Sequence, residues 1–182
     1  MACNTVKKFT YDACLPSLGG IKSVVLADYK EDAVELTKTE GGVDAISTFI
    51  EGINWVHYPM KKNVASMTST INNSAEGASY VTTELSMVFS RMEAQKRIAI
   101  QALAIGEVMA LVEDYNGNVW FLGKDAPLTT TSGTGESGVA MGDKNAYSIV
   151  LTDTSLELPY TVDATLAKGI IDAAKGKTTS NE

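Results

Sequence analysis

The clearest hydrophobic pattern in the chain is a strict alternation over Tyr80–Phe89. Val81, Thr83, Leu85, Met87 and Phe89 share one side, and Tyr80, Thr82, Glu84, Ser86 and Val88 the other, the period of a half-buried strand. Similar alternation over Ile53–Met60 and Lys62–Ile71 predicts a strand pair. The second of these sets Ala65, Met67, Ser69 and Ile71 against Ser66, Thr68 and Thr70. Asn72–Gly77 reads as a turn. Ile21–Ala27, rich in β-branched residues, predicts a first strand. After Phe89 the period changes. Ser90 with Glu93 three residues on reads as a capping box, opening a helix over Glu93–Ile105. Ile98, Ala102 and Ile105 fall on one face of it with Leu103 beside them, and Gly106 is placed to end it as a C′ glycine. Strands follow at Glu107–Glu113 and Val119–Gly123, with Asn116-Gly117 between them as the signal for a type I′ hairpin. A glycine-rich loop then leads to a last alternating strand, Asn145–Thr152.

The remaining segments are less regular. Residues 1–20, with Pro16 and Gly19-Gly20, read as an arm. Residues 28–52 read as a long loop with local structure, including a short helix or strand at Val43–Ile50. Ala164–Glu182 has a weak helical pattern (Leu166, Ile170, Ile171, Ala174) that turns polar from Lys175 and is expected to fray. The expected organisation is therefore an arm over 1–20, one mainly β domain with a flanking helix over 21–163, and a C-terminal tail over 164–182. Lys30–Gly52 and Lys124–Lys144 are expected to be mobile in a free subunit and ordered by neighbouring subunits.

Composition narrows the function. At 182 residues the chain fits one domain with an ample core. Its net charge of −7 argues against sequence-reading nucleic-acid binding, which draws affinity from counterion release by basic residues. No apolar run reaches the roughly 18–20 residues that span a bilayer. The N-terminus lacks the apolar core of a signal peptide, so folding in a cytoplasm is expected, without a membrane partner. Cys3 and Cys14 are too few for a structural zinc site beside a single histidine, and read as free thiols.

Candidate chemistry is thin. Gly133-Thr134-Gly135-Glu136-Ser137-Gly138 matches a dinucleotide fingerprint literally. It lies in a Thr/Ser/Gly run between strands, where a mobile loop is the better reading, and Glu136 would repel a phosphate. His57 lies in a strand pattern between Trp55 and Pro59, with no G-x-S-x-G elbow anywhere. Asp28, Glu31, Asp32 and Glu35 form an acidic cluster without the spacing of a calcium loop, and read as a solvated or pore-facing patch. No catalytic, metal or cofactor site is expected. Strand edges and flexible loops point to assembly instead.

The run Tyr80–Leu158 resembles the tail-tube family of bacteriophages, in the version found in phages of Bacteroidetes-type hosts. The resemblance rests on Tyr80-Val81-Thr82-Thr83-Glu84-Leu85, on Arg91–Arg97 opening a short helix, and on Glu107–Val112. It continues through Asp114-Tyr115-Asn116-Gly117, Trp120–Gly123, the Gly133–Gly142 loop, Asn145–Leu151 and Leu158-Pro159-Tyr160. It covers a little under half the chain and is topological rather than catalytic. It implies an antiparallel β-sandwich or barrel of tail-tube type with one flanking helix. It also implies a subunit of a tail tube or tail hub, in a homo-oligomeric, sixfold ring through which DNA is ejected without specific binding. The implied partners are further copies and other tail, adaptor or portal proteins of the virion, assembled in the host cytoplasm. If a barrel carries DNA, Ser66, Thr68, Thr70, Thr82, Glu84 and Ser86 are the candidate lumen-facing residues. Met67 and Ile71, with Leu85, Met87 and Phe89, would then pack under the helix. Another virion component, such as a capsid decoration or head-fibre protein, is the alternative. A small hydrolase using His57 or the acidic cluster is a third reading.

Overall fold

A computed structural model describes residues 17–38 and 44–178. In chain order the elements are β1 (Ile21–Asp28), β2 (Val34–Lys38), β3 (Asp44–Phe49), β4 (Val56–Tyr58), β5 (Ala65–Asn73) and β6 (Ser79–Ser90). Then come α1 (Ala94–Ile105), β7 (Val108–Asp114), β8 (Val119–Leu122), β9 (Thr129–Glu136), β10 (Ala146–Ser155), β11 (Tyr160–Val162) and α2 (Ala164–Thr178). The strands form a seven-stranded sheet, ordered β2-β3-β11-β8-β7-β1-β4, and a four-stranded sheet, ordered β5-β6-β10-β9. The fold is mainly β, as expected, but it is two sheets and not a closed barrel. Nor is it wholly antiparallel, since β3 and β11 run parallel.

Two cores lie on the two faces of the large sheet. Val24, Leu26, Ala110, Val112 and Leu122 meet Leu85, Met87, Ile149 and Leu151 of the small sheet. On the opposite face Val25, Met109, Leu111 and Phe121 meet Ala167, Ile171 and Ala174 of α2. Both sides of β1 and β7 are thus covered, which is why residues 24–27 of β1 and 108–112 of β7 are continuous apolar runs. Where one helix was expected there are two, and the segment expected to be a tail is mostly a helix that closes the second core. The last four residues lie outside the described residues, as do residues 1–16 of the expected arm.

Several expectations fail for local reasons. Ile53–Met60 does not pair with Lys62–Ile71. Only Val56–Tyr58 is strand, and it pairs with β1 in the large sheet, while β5 pairs with β6 in the small one. Pro59 has no N–H to extend a ladder, and Asn63 at φ 63° turns the chain from one sheet to the other. The long loop expected at 28–52 contains the antiparallel strand pair β2 and β3, and the glycine-rich loop contains β9. Its Thr/Ser/Gly composition hides a strand whose partner, β10, supplies the apolar residues.

Ser90 caps nothing. It stays in the β6 ladder opposite Ala146, while Arg91 turns at φ 66° and Asn145 takes the next two amides, of Arg91 (2.8 Å) and Met92 (2.8 Å). Glu93 becomes the N-cap without a side-chain capping bond, and pairs instead with Lys96 at 3.0 Å. The helix also turns the other face inward. Leu103 is buried, whereas Ile98 is 61% exposed and Ile105 90% exposed. Gly106 ends α1 in extended backbone, φ −87°, and not in the left-handed form. Asn116-Gly117 makes no type I′ turn, since of the two only Gly117 has positive φ (87°). Asp114 N donates to Asn118 O (2.9 Å) and Gly117 N to Asp114 O (3.3 Å), a three-residue loop closed by a left-handed glycine. The Asp114 carboxylate decides this. It accepts from Asn116 N, Asn118 N, Asn118 Nδ2 and Trp120 Nε1.

Candidate functional site

The feature that stands apart is the small sheet. Both its edge strands are long, and among the described residues no strand pairs with their outer sides, although α1 meets the start of β9, where Thr130 Oγ1 donates to Leu103 O at 2.9 Å. β5 carries no charged side chain along its nine residues, and β9 has only Glu136, at its end, among eight. Neither has the lysine or proline that usually blunts an edge. Which backbone groups are free follows from the ladder. Val88 N donates to Val64 O (3.0 Å), and bonded pairs alternate along an antiparallel ladder. Ser66, Thr68 and Thr70 therefore bond β6, and Ala65, Met67, Ser69 and Ile71 turn their N–H and C=O outward. Arg91 N donates to Asn145 O at 2.8 Å, and the same alternation carried across β10 turns Gly133 and Gly135 of β9 outward.

The six residues expected on one polar face do share a face. Ser66 stands opposite Ser86, Thr68 opposite Glu84, and Thr70 opposite Thr82. Ser66, Thr68, Thr70 and Glu84 are exposed, and Thr82 and Ser86 half-buried. β10 extends this face, setting Val150, Thr152 and Thr154 beside Ser86, Glu84 and Thr82. Thr131 of β9 continues it, its hydroxyl 2.9 Å from that of Thr152. Glu84 is the one charge in the middle of a serine and threonine surface. On the opposite face Leu85 and Met87 are fully buried, but against the large sheet more than under α1, which contributes Leu103. Ile71, expected beside them, is 58% exposed, because β5 runs past the end of the core.

The other candidates do not converge. Gly133 and Gly135, two glycines of the fingerprint-like run, lie in an edge strand that opens no helix. Gly135 is small because the Tyr147 ring lies over it, 3.0 Å from where a Cβ would stand. His57 sits half-buried in β4 opposite Val25. Burial, with Lys175 nearby, lowers its pKa and so favours the neutral ring. Asp28, Glu31, Asp32 and Glu35 are exposed, and among the described residues no group of three acidic, histidine or cysteine side chains is placed to hold a metal ion. Cys3 and Cys14 lie outside the described residues.

Sequence reasoning missed Asp153, the buried carboxylate among the described residues. Its Oδ2 accepts from Gly123 N at 3.0 Å, tying β10 to the end of β8, and its Oδ1 is buried without a partner. Burial raises its pKa, and Asp125 adds to the rise. The folded state therefore holds this proton at pH values where the unfolded chain has released it. Stability should be fullest below the usual carboxylate range and fall as pH rises through the raised value. Urea unfolding of Asp153→Asn from pH 4 to 8 should show a flatter profile than the parent, and equal slopes would exclude Asp153 as the source. The site has the character of a structural tie, joining β10 to the end of β8 through the Gly123 amide.

No protein-family model and no curated protein matches the chain.

Proposed function

We propose that the chain is a virion structural protein, a subunit of a phage tail tube or tail hub ring whose small sheet joins its neighbours edge to edge around a channel for DNA. The observation that carries this reading is the pair of long edge strands on one sheet, β5 without a charged side chain and β9 with Glu136 alone. Such edges are templates for pairing with another chain, and closing a ring removes them. Strand directions alternate along β5-β6-β10-β9, so β9 of one copy meets β5 of the next antiparallel, and every junction can be the same. The serine and threonine face would then line the channel. With Glu84 at its centre and a chain charge of −7, it would let DNA pass by repelling phosphates. Further rings and the tail, adaptor or portal proteins of the virion would be its partners.

Electron microscopy of the purified protein tests the reading. Rings or tubes with a lumen wide enough for duplex DNA are expected, and threefold or fivefold particles would favour a capsid role instead. Gly133→Pro and Ile71→Pro should keep the fold, because an outward-facing N–H on an edge strand is not used within the subunit. Each should raise the assembly concentration at least about tenfold by removing a junction donor and crowding the edge. A protein that stays monomeric at high concentration, or proline variants that assemble like the parent, would overturn the proposal.

A further inference from the structure

The β9–β10 connection is a built loop with an apolar tip. Val139 and Met141 are fully exposed side chains. The backbone beneath them is fixed. Asp143 Oδ2 accepts from Val139 N (2.8 Å) and Ala140 N (2.7 Å), and Ala140 O accepts from Asp143 N (3.0 Å). Gly138 turns at φ 72°, and a Cβ there would stand 2.5 Å from that of Asp143. A loop so held, with two large apolar side chains in water, is shaped for insertion elsewhere.

An apolar cleft of about 330 Å³ lies between α1 and the β4–β5 connection. Tyr58, Met60, Phe89, Ala99 and Ile100 line it, with Lys61 and Lys96 among its walls. The Tyr58 and Phe89 rings stand 5.9 Å apart within it. The segment Glu136–Lys144 carries two carboxylates and one lysine, whereas Lys61 and Lys96 stand at the cleft, with Glu93 bound to Lys96. The charges are therefore complementary.

Strand direction brings the two together across a junction. In the edge-to-edge ring, the end of β9 at Glu136 lies beside the start of the next copy's β5 at Ala65. The loop leaving β9 is then next to the Tyr58–Val64 stretch that borders the cleft. We infer that the Val139–Met141 tip of one copy inserts into the apolar cleft between α1 and the β4–β5 connection of the adjacent copy, forming a second contact at each junction. This inference rests on the ring reading, and its test separates the two.

Met141→Asp charges the tip and Ala99→Arg fills the cleft. Arg suits a helix interior, and both substitutions lie outside the two cores, so unchanged circular dichroism is expected. By sedimentation each should raise the assembly concentration on the order of thirtyfold, the scale of losing a hot-spot side chain. In a Cys3→Ser, Cys14→Ser background, copies carrying Met141→Cys mixed with copies carrying Met60→Cys should form a disulfide between chains on oxidation. If Met141→Asp and Ala99→Arg assemble like the parent and no cross-link forms, the insertion is wrong and the edge junction stands. Should both weaken assembly while Gly133→Pro and Ile71→Pro do not, the tip contact stands and the edge junction falls. A parent chain that neither assembles nor cross-links overturns both.

Discussion

A Leu85→Asp variant is expected to be recovered unfolded or aggregated, while Glu84→Lys, its neighbour in the chain, is expected to melt like the parent. Leu85 is wholly inaccessible, at the centre of the core between the sheets, and is paired across the ladder with Met67 and Leu151. Removing a buried leucine side chain alone costs about 2–5 kcal/mol. Placing a carboxylate there without a partner adds several kcal/mol more. The sum rivals the whole stability of a typical domain, about 5–15 kcal/mol. Glu84 points away from that core into solvent, where substitutions usually change stability by no more than about 0.5 kcal/mol. Thermal melts followed by circular dichroism would decide. Since a one-residue shift in register exchanges the faces of a strand, the reverse result would mean that β6 is misplaced by one residue.

That contrast marks where the sequence was legible. β6 announces itself because one of its faces is wet and the other dry, so side-chain polarity alternates as strictly as the pleat. β1 is legible as a strand from its β-branched residues, and a strand is also expected over Glu107–Glu113, where β7 lies. That they are dry on both faces, and that α2 covers the second, was not read, because the helical pattern of Ala164–Glu182 is diluted by Gly169 and Gly176. β9 was missed outright. An edge strand exposed along nearly all its length carries no hydrophobic period, and Thr129–Glu136 looks like a linker by composition. The failure at α1 is different in kind. The Ile98, Ala102 and Ile105 stripe is real as a pattern but is left in solvent, because Asn145 and the Arg91 turn set the direction in which the helix leaves the sheet. The same limits apply to the candidate site. Its polar face was readable from β5 and β6, whereas its second open edge was not, since that edge is β9. Asp153 had no signal at all. Only the close approach of Gly123 makes that carboxylate a buried tie.

Assembled Glu84→Lys protein is expected to bind duplex DNA tightly at low salt, where the assembled parent does not. In a sixfold ring the substitution turns six inward carboxylates into six ammonium groups at one level of the channel. Each phosphate neutralised contributes a slope of about −0.9 to the logarithm of affinity against the logarithm of salt. With about six contacts, affinity should fall on the order of a thousandfold between 50 and 200 mM salt. Screening shortens over the same interval, so passage of DNA should be slowed at low salt and recover at high salt. Fluorescence anisotropy of a labelled duplex measures the binding, and the unassembled subunit is the decisive comparison. One exposed lysine on a subunit of charge −7, which becomes −5 on the exchange of Glu for Lys, should bind DNA barely at all. Tight, salt-sensitive binding that requires assembly therefore places Glu84 on an enclosed, DNA-facing surface. Binding of equal strength by free subunits and assemblies, or none by either, would put the serine and threonine face on the outside of the particle and remove the channel from this sheet.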